Sequence, residues 1–322
     1  MSEAGRSGDA RGAAGPAVRP VAPPAATVRS AVFAVAVTAG LHALCTTATA
    51  LPGVLAPIAS RDFGIAPSKV GVMQALHYLT TVFTGLAAVP LMGRLGPVRV
   101  LQFTGFTTGL AALSCGVAGL VATRITADAG GDAAPTLLFA LWLMATGVIF
   151  GTGYGMINTV SSNVLFAATP PSIRSFIFSI KQTAVPVGFG LSGLLFPFLL
   201  LWMPWPWVAV TMGVGLFAIT MALTPVQLAV QDIAVARRSL VRWSDFTGPL
   251  KDVFADPMWR RRALMAVAYS TTQTAVVAYM VTFLSVEIGL TLAVAGGVYA
   301  IAQVGGVTGR IGLGLLADLW VK

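Results

Sequence analysis

A single lysine stands inside a long apolar run, in Ser179-Ile180-Lys181-Gln182. An ammonium group inside an apolar layer either extends to the polar surface or lines a polar interior. Polar side chains recur at helical spacing in other apolar runs, so each set falls on one helix face. The sets are His42, Cys45, Thr46 and Thr49; Gln74, His77, Tyr78 and Thr81; Asn158, Ser161 and Ser162; Tyr269, Thr272 and Gln273; and Tyr299 and Gln303. Such stripes fit either hydrogen bonds between helices or the wall of a binding cavity.

These stripes and the segment around Lys181 provide the candidate solute-binding residues, which are His42, Thr46, Gln74, His77, Asn158, Lys181, Gln182, Gln273 and Gln303. The first six apolar runs hold a lysine and two histidines but no internal carboxylate. Because a buried ammonium is costly without a counter-charge, an organic anion is the solute class that this charge pattern favours. Two histidines without nearby carboxylates do not make an acid–base or metal site, so we expect no enzyme, catalytic residue, metal or cofactor.

The composition is that of an integral membrane protein. Charged residues make up 10% of the chain and hydrophobic residues 56%, whereas a soluble domain carries about 25% charge. The net charge of +9 does not indicate a nucleic-acid partner, because the basic residues lie in short gaps between apolar runs, where they orient helices in the bilayer. No nucleotide-binding motif is present, so the chain contains no ATP-driven engine.

Eight apolar runs are long enough to cross a membrane, which takes roughly 20 residues. These predicted spans are 31–59, 70–92, 100–122, 136–166, 175–201, 206–228, 263–286 and 290–316. Spans five and six join without a charge, but the segment 202–207 holds two prolines and three tryptophans. Proline breaks helices and tryptophan favours the membrane interface, so we predict a surface turn there.

The distribution of Lys and Arg predicts the topology. With the N-terminus inside, sixteen of the 20 basic residues fall on the inner side and three on the outer side, which is the bias expected of a cytoplasmic N-terminus. We expect a multi-pass protein of the plasma (inner) membrane. Residues 1–29 are predicted to form a disordered cytoplasmic tail, and residues 229–262 a basic cytoplasmic linker.

An internal repeat relates the beginning of the chain to its end. Asp62-Phe63-Gly64-Ile65 and Glu287-Ile288-Gly289-Leu290 share the order acid, apolar, glycine, aliphatic, and each precedes an even-numbered span. The same offset places the loop after span two on the loop after span eight without a gap. Six spans separate the copies, so the two copies have the same orientation in the membrane.

Two parallel halves joined by a basic linker resemble the major facilitator superfamily. The signature of that family follows spans two and eight, and its matching residues here are Arg94, Gly96, Arg99, Gly314 and Asp318. The first copy departs from the family, because Gly93 stands where aspartate is usual and Val89 where glycine is usual. Gly309-Arg310 and the run Gly151, Gly153 and Gly155 also resemble family features, although the arginine that often precedes this run is missing.

The resemblance implies an all-α polytopic bundle, with a six-helix N-terminal half at 30–228 and the first two helices of the second half at 263–322. It implies a secondary transporter that moves a small solute by alternating access, coupled to a proton or ion, with the signature residues as its gating motif. Helices one, two, four, five, seven and eight would line the cavity. Since the family has twelve spans, about four are absent, and the alternative is a non-transporting fragment or truncated remnant. A membrane-embedded enzyme is disfavoured.

Overall fold

The computed structural model describes residues 27–128, 136–222, 224–225 and 244–320. Its helices are α1 (Val28–Thr49), α2 (Leu51–Asp62), α3 (Val70–Leu95), α4 (Pro97–Asp128), α5 (Thr136–Ala168), α6 (Arg174–Gln182), α7 (Ala184–Leu199), α8 (Trp205–Ala222), α9 (Ser244–Ala255), α10 (Pro257–Val286) and α11 (Leu292–Trp320). Short 3₁₀ turns at Pro67–Lys69 and Pro171–Ile173 lead into α3 and α6. The all-α fold class is confirmed.

Eight stretches of the described chain are long and apolar enough to cross a membrane, and they match the eight predicted spans. The first combines α1 with α2, and the fifth combines α6 with α7. These two spans are divided at Ala50 and Thr183, which the sequence pattern did not predict. Pro52 lies in the first turn of α2, where its missing N–H costs no helical hydrogen bond.

The two predicted polar segments fall largely outside the described residues. The tail at 1–29 is described only from Thr27, whose side chain accepts a hydrogen bond from the Ser30 backbone N–H at 3.1 Å and caps α1. The helix therefore begins at Val28, slightly earlier than the predicted boundary. In the linker at 229–262, α9 and the first turns of α10 are helical, and residues 229–243 lie outside the described part.

The two copies of the internal repeat form the same kind of turn. Gly64 has a φ of 62° and Gly289 a φ of 78°, and each follows the last residues of a span. Both values lie in the left-handed region, which glycine adopts without steric cost and which commonly ends helices. The Ile65 and Leu290 N–H groups, one residue later in each copy, donate back to carbonyls of the preceding helix. The shared sequence pattern thus corresponds to a shared helix ending.

The predicted turn between spans five and six lies at residues 200–204, between α7 and α8. Trp202 is exposed, as expected at an interface, whereas Trp205 is buried. The Trp205 indole Nε1–H donates to the Asp62 carboxylate at 2.6 Å, and its ring packs against Phe63. The turn between α7 and α8 therefore contacts the turn of the first repeat copy at Gly64. The end of the bundle where these turns lie is called the Gly64 end.

Helix packing separates two groups. In the first six spans α5 packs on α3 and α4, α4 packs on α8, and α1 packs on α5 and α7. The last two spans contact this group through α10 against α2 and through α11 against α6 and α7. At the Gly64 end the helices approach closely: the Thr282 hydroxyl donates to the Gly53 carbonyl at 3.3 Å, and the backbone of Gly193 on α7 lies against that of Gly296 on α11.

Candidate solute-binding cavity

A central cavity of about 500 Å³ lies between the two groups of helices. Its size is within the range of pockets that hold small molecules. Its polar lining residues include His42, Tyr78, Thr81, Tyr154, Asn158, Thr159, Gln182, Ser270, Gln273, Thr274 and Arg310. These residues come from spans one, two, four, five, seven and eight, as the family resemblance implied, while α4 and α8 pack behind them.

Lys181 lies in the interior and does not extend to the surface. Its side chain has 0% exposure at the end of α6. The ammonium donates to the side-chain oxygen of Asn158, to the Asn158 backbone carbonyl at 3.2 Å and to the Ser162 hydroxyl at 3.1 Å. All three acceptors are neutral, so they satisfy the donors without cancelling the charge. Since Asn158 lines the cavity, the positive charge lies one hydrogen bond behind its wall.

Arg310 provides a second cation, on the cavity wall itself. It lies on α11, and its guanidinium donates from Nη1 to the Gln182 backbone carbonyl at 2.6 Å. This bond joins the last two spans to α6. A guanidinium has five N–H donors in a planar fork, so one carbonyl partner leaves donors for a ligand in the cavity. In the sequence, Arg310 counted toward the topology and toward the family resemblance but not among the candidate binding residues. The signal for a binding role was an arginine inside a predicted span.

Two histidines and a tyrosine form a buried cluster at the cavity. The ring of Tyr154 stands between His42 and His77, with ring centroids 5.7 Å and 5.5 Å apart. His42 lines the cavity, whereas His77 lies behind Tyr78 and Tyr154. Both histidines are buried, and neither Nδ1 atom has a hydrogen-bond partner. Tyr154 was missed by the polar stripes because it stands in the glycine run.

The glycine run explains how Tyr154 reaches this position. A Cβ on Gly155 would lie 2.5 Å from the Thr81 carbonyl oxygen of α3, and a Cβ on Gly151 would overlap the His77 carbonyl oxygen. Only glycine therefore allows α5 to approach α3 this closely. This close approach places Tyr154, which directly precedes Gly155, next to His77. Its hydroxyl shares a hydrogen bond with Thr46 of α1, with the two oxygens 3.1 Å apart.

The structure brings some of the predicted binding residues together and separates others. His42, Asn158, Gln182 and Gln273 line the central cavity. Gln303 lines an adjoining recess of about 380 Å³ that shares Gln273 and Arg310 with the cavity. Gln74 faces a groove between α3 and α10 instead. The solute-binding roles stay predictions for all of these residues.

The predicted gating residues lie at the opposite end of the bundle from Gly64. Arg94 and Arg99 are exposed on either side of the turn between α3 and α4. Gly96 forms that turn with a φ of 84°, a conformation that favours glycine on steric grounds alone. Gly314 and Asp318 lie in α11, but their side-chain environment is outside the described residues. Their part in gating remains a prediction.

The described spans contain internal positive charges but almost no negative ones. In the eight membrane-length stretches the only Asp or Glu is Asp62, the last residue of the first, where it binds Trp205. Lys181 and Arg310 therefore face no internal carboxylate in the part of the chain that is described. No three metal-ligating side chains come together among those residues. The arrangement suits a ligand that brings negative charge.

Comparison with known proteins agrees with the architecture. The family model described as Major Facilitator Superfamily matches residues 38–322. No curated protein and no solved structure matched the chain.

Proposed function

The chain belongs to the major facilitator superfamily, a family of membrane transporters for small solutes, and we propose that it is a secondary transporter of a small organic anion. The chain is a multi-pass membrane protein with eight helices long enough to cross a bilayer among its described residues. Family membership gives the transport of a small solute in general. The anionic class of that solute is inferred from the cavity.

The pair of cations at the cavity carries the proposal. The Arg310 guanidinium is on the wall, and the Lys181 ammonium is held behind Asn158 by neutral oxygens. Hydrogen bonds to neutral groups give the N–H donors their partners. The uncompensated positive charge is still unfavourable in an interior with a low dielectric constant. A carboxylate or sulfonate in the cavity would form charge-assisted hydrogen bonds with Arg310, which are roughly twice as strong as neutral ones, and would be attracted by the Lys181 charge behind Asn158. A cationic solute would be repelled by the positive charges of Lys181 and Arg310.

The packing of the helices supports alternating access as the mechanism. Close backbone contacts between the two groups of spans, at Gly53 and at Gly193 with Gly296, lie at the Gly64 end. The cavity residue Gln182 precedes Gly193 in the fifth span, and Arg310 follows Gly296 in α11, so both lie farther from that end. A contact zone at one end and a cavity toward the other is the arrangement from which rocking of two halves alternates access.

The sidedness of the protein follows from charge asymmetry. We propose that the N-terminus and the basic segment between α8 and α10 face the cytoplasm, in the plasma (inner) membrane, because most Lys and Arg residues fall on that side. The Gly64 end would then face outward. No nucleotide-binding motif supplies energy, so a gradient of protons or another ion would drive the transport.

Uptake into proteoliposomes tests the proposal. The reconstituted chain is expected to accumulate radiolabelled succinate or benzenesulfonate, and to exclude neutral glucose and cationic choline. Lys181→Met removes the buried charge, whereas Lys69→Met removes an exposed lysine at the end of a span and serves as the matched control. Saturable anion uptake that Lys181→Met lowers and Lys69→Met leaves intact would support the proposal. Preference for choline or glucose would refute the anionic solute.

A further inference from the structure

We propose that His42 is a proton-binding site whose occupancy is coupled to an anion at Arg310, so that proton and anion are carried together. This inference rests on the proposed function and names its driving ion. The observation behind it is geometric. His42 and Arg310 line the same cavity, and the His42 ring, only 2% exposed, has an Nδ1 atom without a hydrogen-bond partner.

An unpartnered buried nitrogen points to a missing ligand. A buried polar atom left without a hydrogen bond costs about 1–3 kcal/mol, and most such atoms in proteins are satisfied. His42 could be replaced by an apolar residue of similar size if it only filled space against Tyr154. A neutral imidazole also has one unprotonated ring nitrogen, which can accept a proton. The basic side chains buried in these described spans that could exchange a proton are His42, His77 and Lys181, and of these three only His42 lines the cavity.

The charged surroundings of His42 make proton binding depend on the solute. The titratable or charged neighbours are Cys45 on its own helix, Tyr78 on α3, Tyr154 on α5, Lys181 on α6 and Arg310 on α11. Helices α7 and α10 line the cavity with uncharged residues, and α4 faces α1 with Thr108. Protonation would therefore place a third positive charge beside two cations. An anion at Arg310 offsets that repulsion, and by reciprocity a proton on His42 strengthens anion binding.

His77 serves as the internal comparison. It shares the burial, the unpartnered Nδ1 atom and the contact with Tyr154. It lies behind Tyr78 and Tyr154 and faces neither Arg310 nor the cavity. The coupling to the anion should therefore belong to His42, with His77 supporting the position of the Tyr154 ring.

Calorimetry on the purified chain in detergent tests the proposal with benzenesulfonate, which has no proton of its own near neutral pH, and with succinate. Heats of binding at pH 7 are compared in imidazole and in bis-tris, two buffers that are not anions, and the difference gives the protons taken up. The wild type should take up a measurable fraction of a proton per anion, and its affinity should fall as the pH rises from 5 to 8, by at most about tenfold per pH unit. His42→Gln should bind without proton uptake and with an affinity independent of pH, while His77→Gln keeps most of the uptake.

Each other result overturns the inference in a recognisable way. Wild-type binding without proton uptake overturns it and leaves the proposed function standing; this measurement needs no variant. Undiminished uptake in His42→Gln overturns the choice of residue. If His42→Gln is folded, as judged by gel filtration, and binds no anion at all, then His42 binds the anion itself and not a coupled proton. Binding of neither anion by the wild type refutes the proposed function and this inference with it.

Discussion

The contact between Gly193 and Gly296 sets how tightly the two groups of spans close at the Gly64 end. A Cβ on Gly193 would lie 2.6 Å from the Gly296 carbonyl oxygen and 2.9 Å from Tyr299 Cδ1, and a Cβ on Gly296 would overlap the Gly193 carbonyl oxygen. Ordinary van der Waals contact begins near 3.4 Å. Gly296→Ala therefore requires α7 and α11 to separate by about 1 Å, and backbone atoms cannot yield as a flexible side chain does.

The expected effect is a shift in conformational populations. Overpacking of this kind costs about 1–3 kcal/mol, and the cost falls only on the state in which the Gly64 end is closed. The population ratio should then move about 5- to 150-fold toward the state open at that end. Gly297→Ala is the matched control, since nothing lies within 4 Å of a Cβ there. Both substitutions change helix propensity equally, so their difference isolates the contact.

Distances between spin labels at positions 201 and 287 measure this shift. Leu201 follows α7 and Glu287 follows α10, both exposed and on opposite groups of spans. The native thiols, Cys45 and Cys115, are buried and can be replaced by alanine. Gly296→Ala should add a longer-distance population that Gly297→Ala lacks. Equal distance distributions in the two variants would refute the assignment of closure to this glycine contact.

Two further predictions concern Lys181 and topology. Lys181→Met removes a positive charge that lies one hydrogen bond behind the cavity wall. Two opposite unit charges roughly 8 Å apart attract by about 2 kcal/mol at an effective dielectric constant of about 20, so anion affinity should fall at least about tenfold in binding assays. Lys181→Arg keeps the charge and should retain part of the affinity, and unchanged affinity in both variants would show that Lys181 does not act on the solute. Reporter fusions at positions 130 and 245 should report opposite sides of the membrane, with 245 cytoplasmic, and reports from the same side would refute the predicted orientation.

Much of the architecture could be predicted because membrane helices obey a simple rule of length and polarity. The eight spans and the turn between the fifth and sixth follow from apolar runs, prolines and tryptophans. The set of cavity-lining helices was implied by the family resemblance, and the polar stripes agree with it. The divisions at Ala50 and Thr183 were missed, although Pro52 and Pro186 follow them within three residues and lack the N–H groups of a continuous helix.

The site was predictable by helix but not by residue. Helical spacing identifies a face about as wide as the stripe, whereas the cavity touches only part of that face. Gln74 consequently faces the groove beside α10, and His77 is covered by Tyr78 and Tyr154. Arg310 was assigned to topology because a basic residue near a span end usually marks a loop. Its position on the cavity wall depends on the rotation of α11, which the sequence pattern does not determine.

Arg310 and Gly296 lie on one helix, and this links the solute site to the contact between the two groups of spans. The rise of α11 separates them by about 20 Å, so a tilt of roughly 10° about the Gly193 contact would move Arg310 by about 4 Å. That movement breaks the 2.6 Å bond from Arg310 to the Gln182 carbonyl. Without a solute the guanidinium loses its partner, which carries a cost. A bound anion remains with Arg310 as the helix tilts, so it lowers the cost of the movement that would carry it across.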